Sequence, residues 1–285
     1  MIARALILCV IAACGSDAPE RPRTFGGDRF VDLRIPADFE DGRRYPLVVV
    51  LHGYTINGVV QEAYLGTKAL VDAGDAFVVA PTGTYNSQNK PFWNADPACC
   101  DFEGQAPDDV DYLATLIEDI ADAWPIDRDA VHVVGHANGG FMAYRLACER
   151  AELMASIIVI AGAASLDPAA CQPARPVNVL HLHGTADIEF PYAGGGMFGG
   201  TPDSPGAVES VTRWAAHDGC DATRTPGPTI DLDTTVAGAE TRTESFGCPA
   251  GRGVELWSLE GTEHLPNVVS TFVPAVWPWL LAHVR

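Results

Sequence analysis

Residues 131–143 read V-H-V-V-G-H-A-N-G-G-F-M-A, and no other stretch constrains the fold of this chain as strongly. The apolar residues within 131–134 predict a short buried strand, and the residues running through Tyr144 predict a helix. Small residues let a strand turn sharply into a helix and expose the central side chain of the turn, here Ala137, above the sheet. The turn holds three glycines: Gly135, Gly139 and Gly140.

This layout is that of a nucleophile elbow, G-x-S-x-G, whose central residue is a catalytic serine. Because Ala137 occupies that position, the chain has no hydroxyl there to attack a carbonyl carbon. Two interpretations stay open from this stretch alone. It is either an ordinary glycine-rich turn, or an elbow whose serine has been lost in evolution or replaced deliberately. The remainder of the chain favours the elbow.

Apolar and amphipathic patterns alternate along the chain. This alternation predicts an α/β fold with a mostly parallel central sheet covered by helices on both faces, in which ligands bind at the carboxyl ends of the strands. A long polar loop, 82–105, contains two cysteines that would pin it, and 194–206 is a flexible Gly/Pro-rich segment. The predicted strands are 30–35 (a half-exposed edge strand), 47–51, 76–80, 131–134, 156–160, 177–182 and 255–259, and the predicted helices are 60–71, 107–124, 208–217 and 271–283, the last as one helix or two.

Length and charge limit the classes of protein to consider. With 285 residues, of which 47% are hydrophobic, the chain can form one large domain, which we place at 28–285. A formal net charge of −19 without a basic cluster argues against nucleic acid as a partner, and we expect a monomer. No C-x-x-C pattern indicates a metal, and no G-x-G-x-x-G follows an early strand, so we expect no cofactor and disfavour an α/β oxidoreductase.

The N-terminal sequence predicts export. Residues 1–14 have a short positive segment followed by a short apolar run, as in a signal peptide, and 11–14 resemble a bacterial lipobox with Cys14 as the lipidated residue. Residues 15–27 then form a flexible tether, and membrane contact would be limited to the lipid anchor. Six cysteines remain, enough for three disulfides in an exported chain. We favour Cys220 with Cys248; the other four, Cys99, Cys100, Cys148 and Cys171, allow three pairings.

Three positions follow the order of a catalytic triad along the chain. Position 137, Asp187 and His264 each come directly after a predicted strand, in the order nucleophile, acid, histidine that is typical of α/β-hydrolases. In such a triad the histidine takes the nucleophile's proton and the carboxylate holds the imidazole in the required tautomer. Two backbone N–H groups would form the oxyanion hole, one from Asn138 and one from Tyr54 or its neighbour Thr55.

Several motifs together resemble one family, the secreted polyhydroxybutyrate depolymerase-like and feruloyl or acetyl-xylan esterases of the α/β-hydrolase superfamily. The resemblance implies an α/β-hydrolase fold, an ester substrate of small or polymeric form, Asp187 as acid and His264 as base. Trp93 and His136 would contact substrate, although core packing beneath the loop is an equal interpretation for Trp93. The motifs are L-H-G-Y (51–54), F-W-N-A (92–95) with C-C (99–100), D-D-V-D-Y-L (108–113), G-H-A-N-G-G-F-M-A-Y-R-L-A-C-E (135–149), H-G-T-A-D (183–187) and E-G-T-E-H (260–264).

Two hypotheses follow for the function. The first is a secreted carboxylic-ester hydrolase whose turnover is impaired because Ala137 stands at the nucleophile position. The second is a natural pseudoenzyme, a cell-surface lipoprotein that binds an ester or a polymer without cleaving it.

Overall fold

The computed structural model describes residues 21–199 and 202–285. The predicted signal peptide, the lipobox and residues 15–20 of the tether lie outside the described residues. The strands are β1 Thr24–Phe25, β2 Val31–Asp32, β3 Tyr45–Leu51, β4 Phe77–Val79, β5 Thr84–Tyr85, β6 Pro91–Phe92, β7 Ile126–His136, β8 Ser156–Ile160, β9 Asn178–Gly184, β10 Gly194–Gly195, β11 Ser204–Pro205, β12 Arg224–Ile230, β13 Thr241–Phe246 and β14 Val254–Leu259. The α-helices are α1 Gly58–Leu65, α2 Lys68–Asp72, α3 Asp109–Ala123, α4 Asn138–Glu149, α5 Ala207–His217 and α6 Phe272–Ala282.

The central sheet has the strand order β12-β13-β14-β9-β8-β7-β3-β4. Every pairing from β14 to β4 is parallel, whereas β12 and β13 add to the β14 edge as antiparallel strands. The parallel part brings the carboxyl ends of β3, β7, β9 and β14 to one edge of the sheet. The prediction of a mostly parallel α/β fold is therefore confirmed.

Helices cover both faces of this sheet. Two apolar clusters form, one on each side, because the strands of the parallel part are apolar at successive positions and bury side chains in both directions. The first cluster contains side chains of α3, α4 and α5, and the second those of α1, α2 and α6. Representative buried residues are Leu113, Phe141 and Trp214 in the first cluster, and Leu65, Leu70 and Phe272 in the second.

Helix α3 begins where the sequence predicts. The Asp108 carboxylate accepts a hydrogen bond from the Asp111 N–H at 3.0 Å and caps the helix. Asp109 and Asp111 lie in the first turn, where negative charge is favourable at the positive end of the helix dipole. The buried side of the helix packs against the sheet through Val110, Leu113, Ile117 and Ile120.

The N-terminal part of the domain differs from the prediction. Within 30–35 only β2 is a strand, and it pairs with β1 in a small antiparallel ribbon. The predicted edge pairing is reduced to a single antiparallel bridge, from Arg34 to Val78 of β4. Part of the predicted tether, 21–27, belongs to the domain: Phe25 is buried, and the Trp124 indole N–H donates to the Pro22 carbonyl at 2.7 Å. The apolar ring of Phe25 and the buried indole N–H of Trp124 provide the physical reason for this packing.

Three further segments are more structured, or divided differently, than predicted. The helix predicted at 60–71 is interrupted at Gly66, whose φ of 65° ends α1. Segment 194–206 contains the β10–β11 ribbon, and 82–105 contains the β5–β6 ribbon. The 271–283 segment forms a single helix, α6, with Pro278 inside it.

The disulfide predicted between Cys220 and Cys248 is present. The other four cysteines pair as Cys148 with Cys171 and Cys99 with Cys100. The sequence predicts that the two cysteines of the 82–105 loop pin it. Because Cys99 and Cys100 bond to each other, they do not tie this loop to another element. Among the described residues, no helix has both the length and the apolar character needed to cross a membrane.

Candidate active site

The structure brings the predicted triad positions together at the carboxyl edge of the sheet. Ala137 follows β7, Asp187 follows β9 and His264 follows β14. A cavity of about 300 Å³ opens there, and Ala137 and His264 are among the residues that line it. Asp187 lies behind His264, with its side chain fully buried.

The elbow keeps its strained backbone although residue 137 is alanine. Ala137 has φ 50° and ψ −118°, a combination that L-residues rarely adopt and that costs about 1–3 kcal/mol. The glycines around it are sterically required. A Cβ on Gly135 would lie 2.0 Å from the Gly139 carbonyl oxygen, and one on Gly139 would lie 2.3 Å from the Leu51 carbonyl oxygen. The methyl group of Ala137 thus stands where an elbow presents its nucleophile.

His264 and Asp187 form a buried hydrogen-bonded pair. The His264 Nδ1 lies 2.8 Å from Asp187 Oδ2. Asp187 Oδ1 accepts two backbone hydrogen bonds, from Glu189 N at 2.8 Å and from Phe190 N at 2.9 Å. Because a carboxylate accepts the bond, Nδ1 carries the proton and Nε2 is the basic nitrogen of a neutral His264 ring.

Opposing effects act on the Asp187 carboxyl. Burial alone would raise its pKa, but hydrogen bonds from His183 and His264 and the charges of these rings outweigh burial and hold the pKa well below its usual range. Asp187 is therefore ionised at neutral pH, which suits a carboxylate that must orient and stabilise an imidazolium.

A chain of buried polar side chains supports Asp187 from behind. His183 Nε2 lies 2.9 Å from the Phe190 carbonyl oxygen and 3.3 Å from Asp187 Oδ2, so this nitrogen must carry a proton. His183 Nδ1 then accepts from His181 Nε2 at 3.1 Å, and His181 Nδ1 accepts from the Tyr144 hydroxyl at 2.9 Å. One sequence of donors and acceptors fits all of these contacts, and it fixes the tautomers of both histidines.

Two of the residues predicted to form the oxyanion hole, Tyr54 and Asn138, line the cavity. Within the described residues, neither the Asn138 N–H nor the Tyr54 N–H has a hydrogen-bond acceptor. The Thr55 N–H, the alternative in the sequence prediction, donates to the Pro91 carbonyl at 3.0 Å. Thr55 is therefore set aside, and Asn138 and Tyr54 remain as the pair.

Trp93 is a core residue, which corrects its assignment as a substrate contact. Its side chain is fully buried and does not line the cavity, and the indole N–H donates to the His52 carbonyl at 3.0 Å. Its backbone is bonded twice to the side chain of Asn138: Trp93 N donates to Asn138 Oδ1 at 2.7 Å, and Asn138 Nδ2 donates to the Trp93 carbonyl at 2.9 Å. Trp93 thus fixes the loop and the first helical residue after the elbow.

His136 lines the cavity, as expected of a substrate contact, and also supports the base. Its Nε2 lies 3.1 Å from the His264 carbonyl oxygen, so Nε2 carries the proton and Nδ1, buried without a hydrogen bond, is the acceptor nitrogen. Burial, followed by the positive charge of a protonated His264, lowers the pKa of His136 to about 3. A neutral His136 therefore positions the backbone of His264.

Sequence reasoning missed most of the cavity wall. Most of the missed residues lie one to eleven positions after a predicted motif. The segments that follow H-G-T-A-D and E-G-T-E-H could therefore have been predicted to form the cavity wall. A larger cavity of about 390 Å³, lined in part by Cys99 and Arg145, contains none of the triad positions. Among the described residues no group of three His, Cys, Asp or Glu side chains could hold a metal ion. The missed wall residues are Ile56, Cys100, Glu189, Phe190, Met197, Phe198 and Leu265.

Comparison with known proteins agrees with this geometry. Residues 23–244 match the model of the esterase family described as "Putative esterase". The chain is 31% identical to "Putative esterase NocK" of Nocardia uniformis over 149 residues, which are 52% of this chain and 42% of that protein. The chain thus spans less than half the length of that relative. It is 25% identical to "Feruloyl esterase D" of Neurospora crassa over 254 residues, 85% of this chain and 76% of that protein.

A solved structure supports the same fold. The acetyl xylan esterase from Aspergillus awamori superposes with a TM-score of 0.64 at 14% identity, covering 92% of this chain and 98% of that one. At this identity the likeness concerns the fold alone, which is the α/β-hydrolase fold. With the family match extending over more than three quarters of its length, the chain belongs to the esterase family, and its fold is the α/β-hydrolase fold.

Proposed function

We propose that this cavity binds a carboxylic ester, with position 137 as the nucleophile position, His264 as base and Asp187 as acid. The observation that carries the proposal is the 2.8 Å His264–Asp187 contact behind a cavity that also presents Ala137 on a strained elbow. No packing role explains why this elbow backbone and a buried His–Asp pair occur beside each other. The alanine removes the covalent step and leaves the remaining groups in place.

The chemistry of a serine form follows from these positions. The serine hydroxyl attacks the ester carbonyl carbon, His264 Nε2 takes its proton, and the N–H groups of Tyr54 and Asn138 donate to the oxyanion. His264 then protonates the leaving alcohol, and water, deprotonated by the same nitrogen, hydrolyses the acyl-enzyme. In the chain with Ala137, binding and oxyanion stabilisation are retained, but no acyl-enzyme can form.

For the substrate we propose an ester of the feruloyl, acetyl-xylan or polyhydroxybutyrate type. Relatives named as feruloyl and acetyl xylan esterases support this class. The cavity supports it as well, because the apolar side chains of Phe190, Phe198 and Leu265 beside the triad positions suit an acyl group or an aromatic ring.

The test is hydrolysis of p-nitrophenyl esters of increasing acyl length by the chain with Ala137 and by Ala137→Ser. We expect the serine variant to gain on the order of 10⁶ in kcat, the effect of removing the nucleophile in subtilisin. The matched control is Ala137→Ser combined with His264→Ala, which should lose the gain because no base remains. If the parent chain and the Ala137→Ser variant are both folded and neither turns over any ester, the triad assignment is wrong.

A second candidate function is ester binding without hydrolysis. The retention of the strained φ of 50° at Ala137 favours it, since a chain with no use for the elbow would gain stability by relaxing this backbone. This candidate predicts that the chain with Ala137 binds an ester at equilibrium, and that Ala137→Ser does not hydrolyse the same ester faster than its His264→Ala derivative. Rapid hydrolysis by Ala137→Ser alone would instead favour the esterase proposal.

We also propose that the protein is exported, in a bacterial host with a lipid anchor at Cys14. Disulfides Cys148–Cys171 and Cys220–Cys248 support export, because such bonds persist in oxidising compartments. Expression of the whole chain with fractionation tests this proposal, and Cys14→Ser should move the protein from the membrane fraction to the released fraction. Retention of the wild-type chain in the cytoplasm would overturn it.

A further inference from the structure

One charged side chain lines the cavity that holds the triad positions. Among the described residues of its wall, Glu189 is the only Asp, Glu, Lys or Arg. The rest of the wall is apolar, aromatic, uncharged polar or histidine, so no lysine or arginine offsets this carboxylate within the cavity. An anionic group is thus placed where an ester would bind.

Glu189 is held close to the reacting position. Its Oε2 lies 3.7 Å from His264 Nε2, the nitrogen that must face the substrate. Its backbone is fixed on both sides: Glu189 N donates to Asp187 Oδ1 at 2.8 Å, and the Glu189 carbonyl accepts from Phe198 N at 3.1 Å. The side chain is 38% exposed, and within the described residues its carboxylate has no hydrogen bond or ion pair besides the His264 contact.

Aromatic rings share this wall with Glu189. Tyr54, Phe190 and Phe198 line the same cavity, and Phe190 lies 5.7 Å from the His264 ring between centroids. The faces of aromatic rings attract cations, and a carboxylate beside them adds an ion pair. The whole chain, with a net charge of −19, also raises the local concentration of cations.

We propose that Glu189 makes this a site for positively charged esters, in which an ammonium group lies within a few ångströms of the ester bond. Choline esters and aminoacyl esters have this chemistry. The inference rests on the proposed ester site and goes beyond the uncharged esters proposed above, because it adds a positively charged class that the same cavity would prefer. It excludes esters with a carboxylate near the bond, because two like charges would share the cavity without a counterion.

The test compares two isosteric esters, butyrylcholine and 3,3-dimethylbutyl butyrate, which differ in one positive charge. Equilibrium binding to the Ala137 chain is measured by calorimetry at low ionic strength, where no turnover interferes. We expect butyrylcholine to bind about tenfold more tightly, since a half-exposed ion pair and a cation–π contact contribute modestly and together. In Glu189→Gln this preference should fall severalfold, leaving only the share of the aromatic rings, while binding of the neutral ester is kept.

Glu118→Gln is the matched control, because Glu118 lies exposed on α3 and the variant changes the net charge by the same amount. It should keep the preference for butyrylcholine, and added salt should weaken this preference in the parent chain. Equal binding of the two esters to the parent, or a preference that is undiminished in Glu189→Gln, overturns the inference and leaves the ester site intact. If the folded protein binds neither ester, the proposed function fails together with the inference.

Discussion

Asp187 and Asp218 are both buried aspartates, and their surroundings shift their pKa values in opposite directions. Asp187 is 5% exposed and Asp218 fully buried. The pKa of Asp187 lies well below its usual range, whereas burial raises the pKa of Asp218 to about 7. Burial by itself therefore does not determine which buried carboxyl is ionised.

The difference lies in the hydrogen-bond donors. Asp187 accepts backbone hydrogen bonds from Glu189 and Phe190 and side-chain contacts from His183 and His264. Neither carboxylate oxygen of Asp218 has a well-formed hydrogen bond.

The position of Asp218 adds to the free-energy cost of ionising its carboxyl group. Asp218 is the C-cap of α5, at the negative end of the helix dipole, where an ionised carboxylate is unfavourable. A weak contact with the Val177 backbone and the positive charge of Arg252 offset the burial only in part. The comparison separates a carboxyl whose surroundings stabilise its charged form from one whose surroundings disfavour ionisation.

The largest expected effect comes from replacing Asp187, the aspartate whose surroundings stabilise its ionised form. In an Ala137→Ser background, Asp187→Asn should lower kcat by about 10⁴, because an amide in place of the carboxylate holds the histidine in the wrong tautomer. Steady-state hydrolysis of a p-nitrophenyl ester measures this loss, and far-UV circular dichroism checks the fold.

Asp119→Asn serves as its control, since Asp119 is exposed on α3. This variant should leave kcat within twofold of the Ala137→Ser protein. A loss below tenfold on Asp187→Asn would mean that Asp187 is not the acid of the triad.

The sequence carried enough information to locate Asp187 but not to foresee Asp218. Asp187 follows a fully buried strand, β9, in which Val179, Leu180 and Leu182 are apolar, and the parallel sheet brings the ends of β7, β9 and β14 to one edge. A strand end is visible as the end of an apolar run. Asp218 follows α5 in an unremarkable polar context, and its burial depends on the packing of the distant Arg252 segment.

The other differences between prediction and structure also concern positions that depend on tertiary packing and leave no local pattern in the sequence. Strands β12 and β13 lie at the antiparallel edge of the sheet, where β12 is largely exposed, so their sequences lack an apolar signal and contain Pro226, Gly227 and Pro228. Trp93 was equally compatible with the cavity and with the core. Glu189 was missed because its place beside His264 depends on a contact across 75 residues of sequence.

The second prediction concerns Asp218, the aspartate whose surroundings disfavour ionisation. The folded pKa of Asp218 lies above its unfolded value, so its neutral form stabilises the fold below about pH 4, and this stability is lost as the pH rises toward 7. Asp218→Asn removes this dependence. Relative to the parent, its free energy of unfolding should increase by up to about 4 kcal/mol between pH 4 and pH 8.

Urea unfolding at the two pH values measures this change. Asp119→Asn again provides the comparison, because an exposed carboxyl should give nearly the same difference from the parent at both pH values. Equal destabilisation by Asp218→Asn at pH 4 and pH 8 would show that Asp218 does not titrate in this range.

The smallest expected effect comes from replacing His183, one of the side chains that contact Asp187. His183 supplies one of the donors that Asp218 lacks, at 3.3 Å from Asp187 Oδ2. In the Ala137→Ser background, His183→Phe should lower kcat about tenfold, since one hydrogen bond to a charged group contributes about 1.5–3 kcal/mol and the two backbone donors remain. His183→Gln keeps an N–H donor and should recover most of the loss, whereas a purely steric role for the ring would leave the glutamine variant as slow as the phenylalanine variant.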